Sequence, residues 1–198
     1  ASVLDYDYKC DNDGVLSDEE IENCREMQVW GAKNLKGLEL LPNLEIIILT
    51  GDEESYSSIT SFDAKPFKNL GRFDISNYAI TSLDLTYSNN LGMVEVNNCR
   101  DFSAIKTTSN NDYVVYMINL PKLTDMSACD FKNARALEFK RTGIQDIDVS
   151  NYDKLEWLNV AGDYDAEGEE MQVYELNSIN VAGCDILWEL GFQNVKLQ

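Results

Sequence analysis

The chain has 198 residues, enough for one domain with a continuous core. Its 35 acidic residues against 16 basic ones give a formal net charge of −19 at pH 7, which disfavours nucleic acid and anionic membrane as partners because both would repel it. The absence of histidine excludes Ser/His and Cys/His catalysis. We find no signal peptide in the first residues and no apolar stretch near the ~20 residues of a membrane-spanning helix, so membrane insertion is not expected.

The N-terminal segment carries a calcium-type loop at residues 9–20. With Gly14 at the sixth position, oxygen ligands fall at positions three, five, seven, nine and twelve. The spacing resembles an EF-hand or dockerin loop, although Lys9 stands at position one, where such loops have Asp. Apart from calcium, the sequence predicts no cofactor. The candidate calcium ligands are Asp11, Asp13, Val15 through its carbonyl, Ser17 and Glu20.

Ser17 and Glu20 also fit a purely structural role. Ser-x-x-Glu is a capping box, in which the two side chains satisfy amides at the start of a helix. Asp18 and Glu19 suit the positive end of the helix dipole. The pattern predicts a helix from about Asp18 to Glu26 that covers the open end of the element that follows, with or without bound calcium.

A repeat of about 21 residues fills the rest of the chain. The segments 155–163 and 176–184 both fit LxxLxLxx(N/C) and share Asn-Val-Ala-Gly. The alternation predicts a short strand with one buried face. A unit this short cannot bury its own apolar face, so the units must stack into a solenoid. In this frame the units begin near Cys24, Leu44, Leu70, Leu91, Tyr113, Ala134, Leu155 and Leu176.

The second half of several units has its own pattern. The segments 80–90 and 144–154 each combine two or three apolar anchors with Asp, Ser and Asn, which predicts a tight return rather than a long helix. No such half is recognisable after Asp163.

Together the two halves, LxxLxVxxC and (I/L)TxLDLSxN, resemble the bacterial leucine-rich repeat of the 21-residue, internalin J-like type, over residues 24–192. The resemblance implies an α/β fold: a right-handed leucine-rich repeat solenoid with a parallel β-sheet on its concave face, short irregular or 3-10 returns on its convex face, and a helical N-terminal cap. We expect the cap at residues 1–26 and the solenoid at residues 27–198.

Five cysteines do not make a disulfide framework. Cys99 and Cys184 occupy the N/C position of their units, and the resemblance implies that cysteines there form a buried ladder. The two lie four units apart, which is too far to bond at ~5 Å per stacked strand. Cys129 is expected to be buried in a return. Only Cys10 and Cys24 are placed to pair, and the sequence does not decide whether they do.

The resemblance places binding on the concave sheet, at the outward positions of each strand. Met93, Val115, Ala136 and Trp157 would form one exposed apolar column with Met117 beside it, which is a candidate interface. A frame slip of one residue in the unit near Tyr113 would return Val115 and Met117 to the core. The candidate binding residues are Trp30, Ile46, Arg72, Met93, Glu95, Val115, Met117, Glu138 and Trp157.

Two acidic insertions, 52–54 and 163–170, follow strands at one rim and suit either a basic partner, calcium or simple solvation. The function we expect is non-enzymatic protein recognition on a bacterial surface or secreted protein. A carbohydrate ligand stacked on Trp157 and Trp30, a β-helix enzyme acting on polysaccharide, and an intracellular scaffold are the alternatives.

Overall fold

The structure, a computed structural model, describes residues 15–54, 58–107, 112–162 and 173–198. Within them lie one short α-helix, α1 (Asp18–Asn23), and two 3-10 turns, Leu38–Leu40 and Met126–Ala128. The strands are β1 (Glu26–Trp30), β2 (Ile46–Thr50), β3 (Arg72–Ser76), β4 (Ser82–Asp84), β5 (Met93–Asn97), β6 (Ala104–Lys106), β7 (Tyr113–Leu120), β8 (Ala134–Thr142), β9 (Asp146–Asp148), β10 (Trp157–Ala161), β11 (Tyr174–Leu176), β12 (Ser178–Asn180), β13 (Glu189–Gln193) and β14 (Val195–Leu197).

Eight of these strands form one parallel sheet, the main sheet, in the order β1-β2-β3-β5-β7-β8-β10-β13. Apart from a bulge between β7 and β8, each strand pairs with its neighbour residue by residue: Arg72 pairs with Met93, 21 residues later, and Phe73 with Val94. Burial alternates along most strands because one face packs on the core, as with Val94 and Val96, which are fully buried in β5. The predicted solenoid with a parallel sheet is confirmed.

The returns form the second layer of the molecule. Three short parallel pairs, β4 with β6, β9 with β12 and β11 with β14, stack beneath the main sheet together with the 3-10 turns. Their apolar anchors, such as Leu83, Ile105 and Ile147, are buried in the same core as the strand anchors. The Asp, Ser and Asn residues between the anchors form turns, for example where Asp84 accepts from the Thr86 amide at 3.1 Å. The structure is thus a β-solenoid with little helix in its described part.

A residue with left-handed backbone lies just after, or one residue before, the end of each of the four central strands β3, β5, β7 and β8. The backbone φ is +61° at Asn77, +50° at Asn98, +54° at Asn119 and +54° at Arg141. Three of these four are Asn because its short amide tolerates this conformation better than other side chains with a Cβ. The amides also bond along the stack: Asn119 Nδ2 donates to Asn98 Oδ1 at 2.5 Å, and Asn98 Nδ2 donates to Asn77 Oδ1 at 2.6 Å. We call this row the asparagine ladder.

The predicted frame is wrong by one residue in β7. Val115 pairs with Val94 and Met117 with Val96, and both side chains are fully buried, so neither belongs to an exposed column. Val114 and Tyr116 take the outward positions instead. The error arose because β7 is apolar on both faces, so alternation gives no register there. A bulge between β7 and β8 at Tyr113 and Val114 adds to the irregularity.

The last unit was also misplaced. Residues 178–180 form β12, which pairs with β9 in the return layer, whereas the strand that follows β10 in the main sheet is β13. Segment 176–184 is therefore the return half that sequence reasoning did not find. The confusion has a simple cause: both halves of the repeat space their apolar anchors as LxxLxL. On β13, at the edge of the sheet, the core-side residues Leu190 and Phe192 are each 40% exposed.

The helix α1 is shorter than predicted. Its capping box is present, with the Glu20 amide donating to Ser17 Oγ at 3.2 Å and the Ser17 amide donating to Glu20 Oε2 at 2.7 Å. It ends at Asn23 and not near Glu26, because Glu26 begins β1 and pairs with Ile46. Its role as a cap of the solenoid stays a prediction. None of the helices in the described ranges is long and apolar enough to cross a membrane.

Candidate binding surface on the main sheet

The outward side chains of the main sheet form what we call the outer face. Strand pairing arranges them in three columns that cross all eight strands. The first column contains Glu26, Ile46, Arg72, Met93, Val114, Ala136, Trp157 and Glu189. The second contains Gln28, Ile48, Asp74, Glu95, Tyr116, Glu138, Asn159 and Gly191. The third contains Trp30, Thr50, Ser76, Asn97, Ile118, Lys140, Ala161 and Gln193.

Seven of the nine predicted binding residues lie on this face; Val115 and Met117 do not. The seven are Trp30, Ile46, Arg72, Met93, Glu95, Glu138 and Trp157. Trp30 is 45% exposed on β1, and the other six are half-buried. Their placement is an observation, and their role in binding stays a prediction.

The apolar column survives the corrected frame. Val114 replaces Val115 between Met93 and Ala136, and Trp157 follows Ala136, so four consecutive strands still carry apolar side chains at this position. Met93, Val114 and Trp157 are half-buried, and Ala136, between Val114 and Trp157, is buried. Side chains on this face are not needed to fill the core, so a continuous apolar column marks a surface suited to contact with another molecule.

The second column is acidic at its centre. Asp74, Glu95, Tyr116 and Glu138 lie on four successive strands, β3, β5, β7 and β8. Arg72 pairs with Asp74 along β3, where its Nε donates to Asp74 Oδ2 at 2.9 Å. Burial raises the pKa of Glu95, the negative charge of Asp74 raises that pKa further, and Asn97 and Arg72 oppose the rise. We call these four residues the acidic site.

Asp74 is the most constrained member of the acidic site. Only 9% of the residue is exposed, and its Oδ1 atom is buried without a hydrogen-bond partner in the described structure. Its other oxygen, Oδ2, accepts both hydrogen bonds from Arg72, so the ion pair satisfies one side of the carboxylate. A buried carboxylate oxygen without a donor is unfavourable, because water no longer solvates it.

From the sequence, Asp74 was placed on the outward side of its strand, but neither it nor Val114, Tyr116 or Ile118 was among the candidate binding residues. The frame slip in β7 hid Val114, Tyr116 and Ile118, because a unit that begins at Tyr113 with LxxLxL spacing makes Tyr116 and Ile118 core anchors. Asp74 had a usable signal: an Arg-x-Asp spacing puts the two side chains on one face of a strand, beside each other.

The calcium-type loop is only partly described. Asp11 and Asp13 lie outside the described residues. Val15 is 70% exposed, and the Glu20 carboxylate accepts from both the amide and the hydroxyl of Ser17. No group of three or more metal-ligating side chains occurs in the described part of the chain. Calcium binding stays a prediction, and a thermal melt in calcium and then in EDTA checks it, because only an occupied native site raises the melting temperature.

The structure describes one of the two acidic insertions and not the other. Segment 163–170 lies outside the described residues. In segment 52–54, the Glu54 amide donates to Asp52 Oδ1 at 2.8 Å. This hydrogen bond within the turn is a sufficient reason for an acidic residue at position 52, and no ligand is needed to explain it.

The cysteines divide between the two layers. Cys99 follows β5 and is buried as predicted, and its thiol lies 3.4 Å from the Asn97 carbonyl. Cys129 is buried in a return, also as predicted. Cys184 was placed wrongly: it follows β12 in the return layer, half-buried, with its thiol 3.0 Å from the Val149 carbonyl. Cys10 lies outside the described residues, so its pairing with Cys24 stays a prediction.

The chain matches no protein-family profile and no curated protein sequence. Among solved structures it is similar to the functional domain of InlJ from Listeria monocytogenes, which is described as including a cysteine ladder. The identity is 13% and the TM-score 0.24, with 87% of this chain and 56% of that chain covered. The chain thus spans just over half the length of that chain.

Proposed function

We propose that this chain is a leucine-rich repeat domain of the internalin J-like type that recognises a protein partner through the outer face. The observation that carries the proposal is the apolar column of Met93, Val114, Ala136 and Trp157, which lies directly beside the acidic site. Apolar contact area flanked by charged groups is the usual anatomy of a protein interface. Most described coils pair one long strand with a return that carries at most one three-residue strand, which favours the leucine-rich repeat over a three-stranded β-helix enzyme; the coil that begins with β10 carries two such strands, β11 and β12.

Placement on a bacterial surface or in the medium is part of the same proposal. The support is the resemblance of the repeat together with the acidic composition, with a net charge of −19. We infer no catalytic role, since the chain has no histidine with which to form a Ser/His or Cys/His pair.

The carbohydrate alternative is weaker on geometric grounds. Trp30 lies on β1 and Trp157 on β10, six strands apart in the main sheet. At about 4.8 Å per strand, the two indoles are on the order of 29 Å apart and cannot stack on one sugar ring. Each tryptophan would have to bind a sugar alone.

Selection of peptides tests the proposal. A random peptide library is panned on the immobilised domain, and the bound peptides are then measured against Trp157→Ala and the matched control Tyr87→Ala. Tyr87 is 42% exposed but lies in a return, after β4. We expect binders that lose affinity with Trp157→Ala and keep it with Tyr87→Ala. A glycan array run on the same variants tests the alternative. Peptides that are indifferent to Trp157→Ala, or a glycan that depends on it, would overturn the proposal.

A further inference from the structure

The strand β13 has an unpaired edge. It is the terminal strand of the main sheet and pairs with β10 on one side, and no other described strand pairs with its second side. The Gln193 carbonyl points to the β10 side, where it accepts from the Gly162 amide at 2.8 Å. Because the backbone groups of a strand alternate in direction, those of Leu190 and Phe192 point to the free edge. Such an edge is a template for pairing with another chain.

Exposed apolar side chains are concentrated at the same end of the solenoid. Of the eleven large apolar side chains that are exposed in the described part of the chain, five lie within residues 186–197, which is far more than an even spread would place there. They are Ile186, Trp188, Leu190, Phe192 and Leu197. At the opposite end of the main sheet, the core-side residue Met27 of β1 is buried. The apolar core is therefore open at β13, and an open apolar patch marks a contact surface.

This end is also the part of the chain without net charge. Residues 186–198 contain one acidic residue, Glu189, and one basic residue, Lys196, so the net charge of −19 lies in residues 1–185. Two copies of so acidic a chain repel each other over most of their surface, and the repulsion is weakest where the charge is absent. A basic partner would find a single carboxylate on this segment. The charge distribution therefore favours a second copy of the chain as the molecule that covers this end.

We propose that two copies associate through this end, with β13 antiparallel to β13 of the second copy about a twofold axis at Gly191, the middle residue of the strand. Leu190 then lies opposite Phe192 of the second copy, and the edge-facing backbone groups of these two residues bond to each other. Glu189 lies opposite Gln193 of the second copy, so no like charges face each other across the axis. The two main sheets join into one, and the open ends of the two cores cover each other. This inference does not depend on the proposed function.

Sedimentation equilibrium of the purified chain over a wide range of concentrations tests the proposal. We expect a reversible change from the 22.4 kDa of one chain to twice that mass. Gln193→Glu should raise the dissociation constant about fivefold or more, because it places a carboxylate opposite Glu189 at two symmetric positions. Gln193→Lys should lower the dissociation constant, since it places opposite charges there. Asn69→Asp is the matched control: it adds the same charge as Gln193→Glu at an exposed turn before β3, and it should have little effect.

A monomer at every concentration would overturn the proposal and leave this end to a different protein. Species that grow beyond the dimer would indicate head-to-tail stacking of solenoids, which is incompatible with the twofold pairing. Equal weakening by Gln193→Glu and Asn69→Asp would show that overall repulsion, and not the contact at β13, limits association. Equal effects of Gln193→Glu and Gln193→Lys would refute the register about Gly191.

Discussion

The asparagine ladder makes a prediction that the structure allows us to size. Asn98 has a φ of +50°, its Nδ2 donates to Asn77 Oδ1 at 2.6 Å, and its Oδ1 accepts from Asn119 Nδ2 at 2.5 Å. Asn98→Ala removes two hydrogen bonds worth about 1 kcal/mol each. It also leaves a Cβ in the left-handed region without an amide, at a cost of roughly 1 kcal/mol or more. We therefore expect Asn98→Ala to lower the free energy of unfolding by about 3 kcal/mol.

Asn98→Gly separates the two causes. Glycine adopts positive φ without strain, so only the hydrogen bonds are lost, while the greater freedom of glycine in the unfolded chain costs about 0.4–1 kcal/mol. Alanine should consequently be less stable than glycine by on the order of 0.5 kcal/mol. Urea unfolding followed by circular dichroism measures both, and equal m-values are needed for the comparison. If the free energies of unfolding of both variants lie within about 0.5 kcal/mol of the parent's, the difference is smaller than one typical hydrogen bond. The ladder would then contribute nothing to stability. If Asn98→Gly is less stable than Asn98→Ala, the strain argument is refuted.

Three further predictions follow from the same structure. Arg141→Asn should raise the stability by about 1 kcal/mol in urea unfolding, because Arg141 holds a φ of +54° that asparagine tolerates better; an unchanged or lower value would contradict this. Glu95→Gln should stabilise the domain at pH 7. Because the pKa of Glu95 is raised in the folded state, that state is favoured only while the carboxyl is protonated. The parent therefore loses stability as the pH rises through the raised pKa, whereas the variant does not. The advantage of the variant should therefore shrink as the pH falls towards the ordinary range of glutamate, and an advantage that does not depend on pH would argue against burial as its cause. Iodoacetamide at pH 8 should label the half-buried Cys184 before Cys99, whose pKa burial raises to about 11, and the opposite order would contradict the buried placement of Cys99.

The register of a strand could be predicted from the sequence where its two faces differ in polarity. In β5, Val94 and Val96 alternate with Met93, Glu95 and Asn97, and the predicted register was correct. The solenoid itself followed from the repeat length, because a 21-residue unit has no other way to bury its anchors. The capping box of α1 was found because its signal is local: Ser17 and Glu20, three residues apart, exchange the hydrogen bonds that define it.

The errors came where the local pattern was ambiguous. In β7, Val114, Tyr116 and Ile118 are as apolar as the buried residues between them, so no alternation fixes which set faces the core. The segment 176–184 matched the strand half of the repeat because the return half has the same anchor spacing. The asparagine ladder was missed for another reason: it depends on backbone conformation at the ends of neighbouring strands, which periodicity does not encode.

The slip in β7 changes the chemistry of the candidate site as well as its geometry. In the predicted frame, Val115 and Met117 continued an apolar surface across the centre of the sheet; in the structure, Tyr116 stands there between Glu95 and Glu138. The core does not require the outward residues of β7 to be apolar, since Val115 and Met117 already fill it. Places where a sequence departs from what its fold needs are the ones at which function is expected. The strand that misled the prediction is therefore the one on which the apolar column and the acidic site meet.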